Sequence, residues 1–126
     1  MKIISKYEKK NYASLILISM LFVACSEDYT DPKALSGTTW RCSDFSGNAL
    51  YTSTFDYIEF RFVSTSTVEG WDKLKGGAVE KNGSATYSIK GNILTIETDG
   101  GSQTVTIDKK TMTMSDEGVT LVFKKQ

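Results

Sequence analysis

Ala85-Thr86-Tyr87-Ser88-Ile89-Lys90-Gly91-Asn92-Ile93-Leu94-Thr95-Ile96-Glu97-Thr98-Asp99-Gly100-Gly101-Ser102-Gln103-Thr104-Val105-Thr106-Ile107 is the stretch whose reading decides the fold. Ala85, Tyr87 and Ile89 alternate with Thr86, Ser88 and Lys90, the period of a strand with one face in a core and one in water. Lys90-Gly91-Asn92 breaks the run with tight-turn residues. Leu94 and Ile96 then fall on one side, Asp99-Gly100-Gly101 turns the chain again, and Val105 and Ile107 continue the apolar face. Turns this short force sequential strands to pair antiparallel, because a parallel pair needs a crossover of a dozen residues or more.

The pattern extends in both directions. Upstream, residues 38–44 send Trp40 and Cys42 one way, and residues 54–63 place Ile58, Phe60 and Phe62 opposite Tyr57, Glu59 and Arg61. Residues 64–71 are polar apart from Val68 and Trp71. Gly76-Gly77 opens a weak strand through Val79, and Lys81-Asn82-Gly83 carries the Asn-Gly pair preferred in two-residue hairpin turns. Downstream, Asp108-Lys109-Lys110 and Asp116-Glu117-Gly118 are turns flanking an alternating Met112 and Met114, and Val119, Leu121 and Phe123 close the chain. The sum is an all-β chain of eight or nine strands with no helix. An antiparallel up-and-down meander of that size removes its open edges by closing into a barrel. The alternative is a two-sheet β-sandwich with crossings in the loops 44–54 and 70–77.

The N-terminus carries a different message. Lys2, Lys6, Lys9 and Lys10 precede the apolar run 13–24, which ends in Ala24-Cys25, the layout of a secretory signal peptide. Its 12 residues are too few to cross a bilayer as a permanent helix, which takes about 20. Leu21-Phe22-Val23-Ala24-Cys25 resembles a bacterial lipobox, which implies cleavage before Cys25 and lipidation of its thiol. The following Ser26-Glu27-Asp28 resembles the acidic surface-export signal of Bacteroidetes-type lipoproteins. The expected organisation is a signal peptide over 1–24, a lipidated Cys25 with a flexible linker to 35 containing the sole proline, Pro32, and one β-barrel domain over 36–126. Ten extended residues reach about 35 Å, enough to hold a small domain clear of headgroups. The expected address is the outer membrane, lipid-anchored and facing the cell exterior, with the periplasmic face as the alternative.

Charge and composition exclude several functions. Residues 1–25 hold four lysines and Glu8, so the rest carries 11 basic and 14 acidic residues, a net charge of −3. Without a basic patch there is no footprint for nucleic acid. The sequence has no histidine, hence lacks the commonest general base and transition-metal ligand, and no metal or cofactor is expected. No nucleophile elbow, P-loop, dinucleotide fingerprint or calcium loop appears. Carboxylate pairs for glycoside hydrolysis can be drawn from Asp56, Glu59, Glu69 and Asp72, but nothing in the sequence sets their separation. The chain reads as a non-enzyme. With Cys25 lipidated, Cys42 has no disulfide partner and reads as a small buried hydrophobe.

Leu35-Ser36-Gly37-Thr38-Thr39-Trp40, the run from Tyr87 to Ile96, and the closing Val119-Thr120-Leu121-Val122-Phe123-Lys124-Lys125 resemble the lipocalin-like domains of Bacteroidetes surface lipoproteins. That resemblance implies a small barrel whose first-strand Trp plugs one end, and a binding or accessory role. An eight-stranded barrel either fills with side chains or holds one small ligand. With Trp40, Phe60, Phe62, Tyr87 and Phe123 inside, a filled core is the favoured expectation. Two functional readings follow. In one, a small apolar or amphipathic ligand sits against a lining of Trp40, Phe60, Phe62, Tyr87, Leu94 and Met114. In the other, an exposed aromatic surface of Trp71, Tyr51 and Tyr57 docks a protein, as an inhibitor does, or a glycan. For Trp71 the competing expectation is a packing lid over the open barrel end.

Overall fold

The computed structural model describes residues 28–116 and 118–126. The expected signal peptide and the expected lipidation and export residues Cys25, Ser26 and Glu27 lie outside the described residues. Eight strands form a closed barrel in which each pairs antiparallel with its sequence neighbour: β1 (Thr39–Cys42), β2 (Phe55–Phe62), β3 (Thr67–Leu74), β4 (Val79–Lys90), β5 (Ile93–Thr98), β6 (Gly101–Asp108), β7 (Thr111–Asp116) and β8 (Val119–Lys125). β8 returns to β1 through Trp40↔Lys125 and Arg41↔Lys124, and this last ladder closes the meander and rules out two separate sheets.

Two short helices correct the helix-free expectation. In α1 (Pro32–Leu35), Asp31 caps the first turn by accepting from the Lys33 N–H, and Pro32 occupies the opening position, where its missing N–H costs nothing. The stretch expected as a flexible linker is therefore part of the fold from Tyr29 onward. Leu35 is fully buried, and Tyr29 meets Trp40 edge-on with ring centroids 5.3 Å apart. Polar composition concealed this, since only Tyr29, Ala34 and Leu35 of the stretch pack against the core. In α2 (Ala49–Thr54), Asn48 caps the helix through the Tyr51 N–H.

A second correction concerns the β3–β4 hairpin. β3 occupies a segment that shows no strand alternation, and β4 runs straight through Lys81-Asn82-Gly83. The register passes from Gly70↔Gly83 to Trp71↔Lys81, so Asn82 is the extra residue of a β-bulge, not the tip of a turn. The turn lies at 75–78, where Gly76 has φ +72. β3 was illegible because two of its inward positions hold Gly70 and Asp72, where a core strand would show apolar residues.

Paired residues share a face, so the registers sort the inside from the outside. Phe62, Tyr87, Leu94, Val105, Ile107, Met112 and Phe123 point inward and pack the half of the barrel that holds the start of β1. Trp40 sits fully buried at that end, its indole N–H donating to Thr38 Oγ1 at 2.8 Å, and α1 with Tyr29 covers it. This half is a filled core closed by a plug.

Candidate functional site

The other end is built differently in its two halves. Over β8, β1 and β2, the connection from β1 to β2 folds across the opening. Phe45 is buried there, Tyr51 and Phe55 pack edge-on to one another at 6.1 Å and both adjoin Phe45, and Ser46 Oγ donates to the Thr120 carbonyl at 3.0 Å. Over β3 to β6 no connection among the described residues folds across. The β3–β4 ladder extends to Lys73↔Val79, whereas β4 and β5 pair only from Thr86↔Glu97 to Lys90↔Ile93. Residues 79–84 thus have β3 on one side and no ladder partner on the other. On the far flank, β6 and β7 pair only over Thr106↔Thr113 to Asp108↔Thr111. The wall parts on both sides of the β5–β6 tip.

This parting opens a cavity of about 850 Å3 whose apolar walls are Phe60, Val68, Ala85 and Ile96. Phe60 is stacked on Phe123 with centroids 4.7 Å apart, so the ring facing the cavity is held by the packed half below it. Gly70 and Gly83 lie opposite each other in the wall and contribute bare backbone. A Cβ at Gly70 would run into the Asn82 amide, whose N–H donates to Asp72 Oδ2 at 3.0 Å. Asn82, Thr98, Gln103, Glu97 and Asp99 make the polar rim. The arrangement offers an apolar floor under hydrogen-bonding groups.

Of the six residues expected to line a ligand site, Phe60 alone does so. Trp40 is the plug of the opposite end. Phe62 and Tyr87 pack edge-on at 5.1 Å in the filled half, where burial pushes the Tyr87 hydroxyl pKa up and its O–H donates to the Ser64 carbonyl at 2.7 Å. Leu94 and Met114 are buried in the same core. All five lie in the barrel's core, as expected of a barrel lining; alternation tells inside from outside but not one end of a barrel from the other. Gly70, Asn82, Gln103, Glu97 and Asp99 were missed as site residues. The signal that could have found them is the clash between an inward register and non-apolar residues in β3.

The expected surface aromatics do not form one patch. Tyr51 belongs to the cluster over β1 and β2. Tyr57 and Trp71 share the outer face, and Trp71 is no lid over the barrel end. Both rings are covered: Arg41 stacks on Tyr57 and Arg61 on Trp71, each with its guanidinium carbon 4.0 Å from the ring centroid. Between the two arginines lies Glu59, only 2% exposed although it points out of the barrel, with Arg41 Nη2 2.6 Å from Oε1 and Arg61 Nε 2.9 Å from Oε2. The Trp71 indole N–H donates to Glu69 at 2.9 Å, and with Lys81 at 3.2 Å it holds the Glu69 carboxyl below its ordinary pKa. Lys73 does the same to Asp56 from 2.6 Å, aided by Lys75.

Each carboxylate considered for glycoside chemistry is therefore engaged: Asp56, Glu59 and Glu69 in ion pairs and Asp72 with Asn82. Among the described residues no group of three or more His, Cys, Asp or Glu side chains is placed to hold a metal ion. Cys42 is buried, and its thiol pKa is raised by that burial.

Neither a curated protein nor a solved structure matches the chain. The model of one family, described as a lipocalin-like domain, matches residues 35–118. That span begins at the buried Leu35, includes the plug Trp40 and takes in every wall of the cavity. A closed eight-stranded meander with a tryptophan plug at one end and an opening at the other agrees with the match, and the chain belongs to the lipocalin-like domain family.

Proposed function

We propose that this protein is a membrane-tethered lipoprotein whose barrel is a non-catalytic binding module, taking one small apolar or amphipathic molecule into its open end. The observation that carries the reading is the cavity of about 850 Å3 over Phe60, Val68, Ala85 and Ile96, within the roughly 300–1,000 Å3 of small-molecule sites. Membership of a lipocalin-like family supports it, since such domains are generally binding modules and not enzymes. The tether is the lipidated Cys25, and the acidic Ser26-Glu27-Asp28 that follows supports an outer-membrane location facing the exterior. Docking of a protein or glycan around Trp71 has less support, because both rings on that face are already covered by guanidinium groups.

The test is to fill the site. Ala85 points into the cavity from β4, so Ala85→Trp places a ring where the ligand's apolar part would lie. Binding of an environment-sensitive apolar dye falls at least about tenfold in this variant, which a loss of roughly 1.4 kcal/mol of contact suffices to produce, while far-ultraviolet circular dichroism is unchanged. Dye binding equal in the variant and the parent would overturn the assignment.

A further inference from the structure

Resting on the lipid tether proposed above, we infer that the plugged end of the barrel is a docking surface for anionic lipid headgroups, which turns the cavity mouth away from the bilayer. In a meander the connections alternate between the two ends. The residues before β1, the connections 63–66, 91–92 and 109–110 and the end of β8 therefore share the end plugged by Trp40. Lys33, Lys90, Lys109, Lys110, Lys124 and Lys125 stand there, against Asp28, Asp31 and Asp108. The Lys125 N–H donates to the Lys110 carbonyl at 3.1 Å, so the β6–β7 turn and the end of β8 lie side by side. All six lysines but Lys125 are exposed, and among the described residues none of the six has a carboxylate within ion-pair distance. The opposite end differs. Its connection 43–54 holds Asp44 and no lysine, its tip 99–100 holds Asp99, and Lys75 in the turn 75–78 lies 3.6 Å from Asp56.

Charge calls for an anionic partner, and the tether selects which one. Tyr29 is buried with its ring edge-on to Trp40, so the packed fold begins four residues after Cys25. Four residues reach at most about 14 Å, far less than the roughly 35 Å of a ten-residue linker. A lipid on Cys25 thus holds the plugged end, and not the open one, beside the headgroups. Their negative potential falls off within a Debye length of about 8 Å at physiological salt, so a shorter leash brings the lysines into a field that a longer one would avoid. Val63, in the connection 63–66, adds an apolar side chain that is 51% exposed on the same end. Lysines around an exposed apolar residue suit the boundary between headgroups and acyl chains, where basic groups and lipid anchors act together.

The experiment uses the full chain, exported by a bacterial host, purified and placed in vesicles of phosphatidylcholine alone or mixed with phosphatidylglycerol. Mass spectrometry of the purified protein reads the acyl groups on Cys25; a chain without them overturns the tether reading and this proposal with it. Val63→Cys and Leu50→Cys then each carry a fluorophore, which the buried Cys42 does not take up, and the vesicles contain a lipid spin-labelled at its headgroup as quencher. Leu50 is the matched control, an apolar side chain 71% exposed on the opposite end. In the anionic vesicles the label at 63 is quenched at least about threefold more than the label at 50, and the difference shrinks in about 0.5 M salt and in phosphatidylcholine alone. Lys90→Gln with Lys110→Gln shrinks it as well. Lys75→Gln with Lys81→Gln, the same loss of charge away from the plugged end, keeps it. Equal quenching of the two labels, or a difference that is the same in neutral vesicles or is closed equally by both lysine pairs, overturns the docking surface and leaves the tether standing. Equal quenching is also the result for a basic end that serves an acidic protein or polysaccharide instead of the bilayer.

Discussion

A buried carboxylate on the outside of a barrel is unusual, and Glu59 owes its position to the residues on either side. The strand places it outward, and the two arginines fold inward over it because each finds an aromatic ring to lie on. Removing its charge leaves two guanidinium groups facing each other over a desolvated amide. Glu59→Gln costs about 2 kcal/mol, a value below that of a fully buried pair because both arginines are partly exposed. Urea denaturation checks it, and Glu97→Gln on the exposed rim, which leaves stability unchanged, is the control. Asp56 and Glu69 give the pH dependence. Their folded pKa values lie below their ordinary 3.8 and 4.5, so the folded form binds fewer protons than the unfolded chain in acid. Stability from these pairs is complete above those ordinary values and is lost as pH falls through the folded ones. Unfolding midpoints measured from neutral pH into acid will decline below about pH 4.5; a flat profile would remove these pairs from the account. Alternation in the sequence put Glu59, Arg61 and Tyr57 on one face, but the covering of rings by arginines needs three strands in register and was not legible.

At the scale of elements, what could be read and what could not divide along the length of the barrel. Strands β4 to β6 in the packed half announced themselves because Tyr87, Leu94, Val105 and Ile107 alternate with polar residues. β3 was silent, and the Asn-Gly pair in β4 sent the turn to the wrong place, because at the open end the inward positions serve a cavity instead of a core. Gly70 is the test of that explanation. Gly70→Ala pushes Asn82 off Asp72 and costs about 1 kcal/mol, whereas in an Asn82→Ala background the same change costs much less. A double-mutant cycle by denaturation measures the coupling, and strict additivity would mean that the bulge does not depend on this contact. α1 offers a second check. Leu35→Ala lowers stability by about 3 kcal/mol, as for a core leucine, because the segment before β1 is packed against the plug. Were residues 28–35 a free linker, the substitution would be silent.

For the molecule as a whole, the question posed by the sequence was whether an eight-stranded barrel of this size is filled or hollow, and the structure divides the answer between its ends. One half packs Phe62, Leu94, Met112, Leu121 and Phe123 beneath the Trp40 plug, and the other parts its wall around the β5–β6 tip. A filled half supplies rigidity, and an open half supplies a site whose floor is fixed before any ligand arrives, which lowers the ordering cost of binding. The sequence could not show this division, because it depends on where neighbouring ladders stop pairing. The measurement that tests it most directly is methyl nuclear magnetic resonance of the protein titrated with a decyl amphiphile. The account predicts saturable shifts at Ala85, Ile96 and Val68, with Met112 and Leu121 in the packed half unmoved. Shifts confined to the residues around Trp71 and Tyr57, or no saturable shift anywhere, would contradict it.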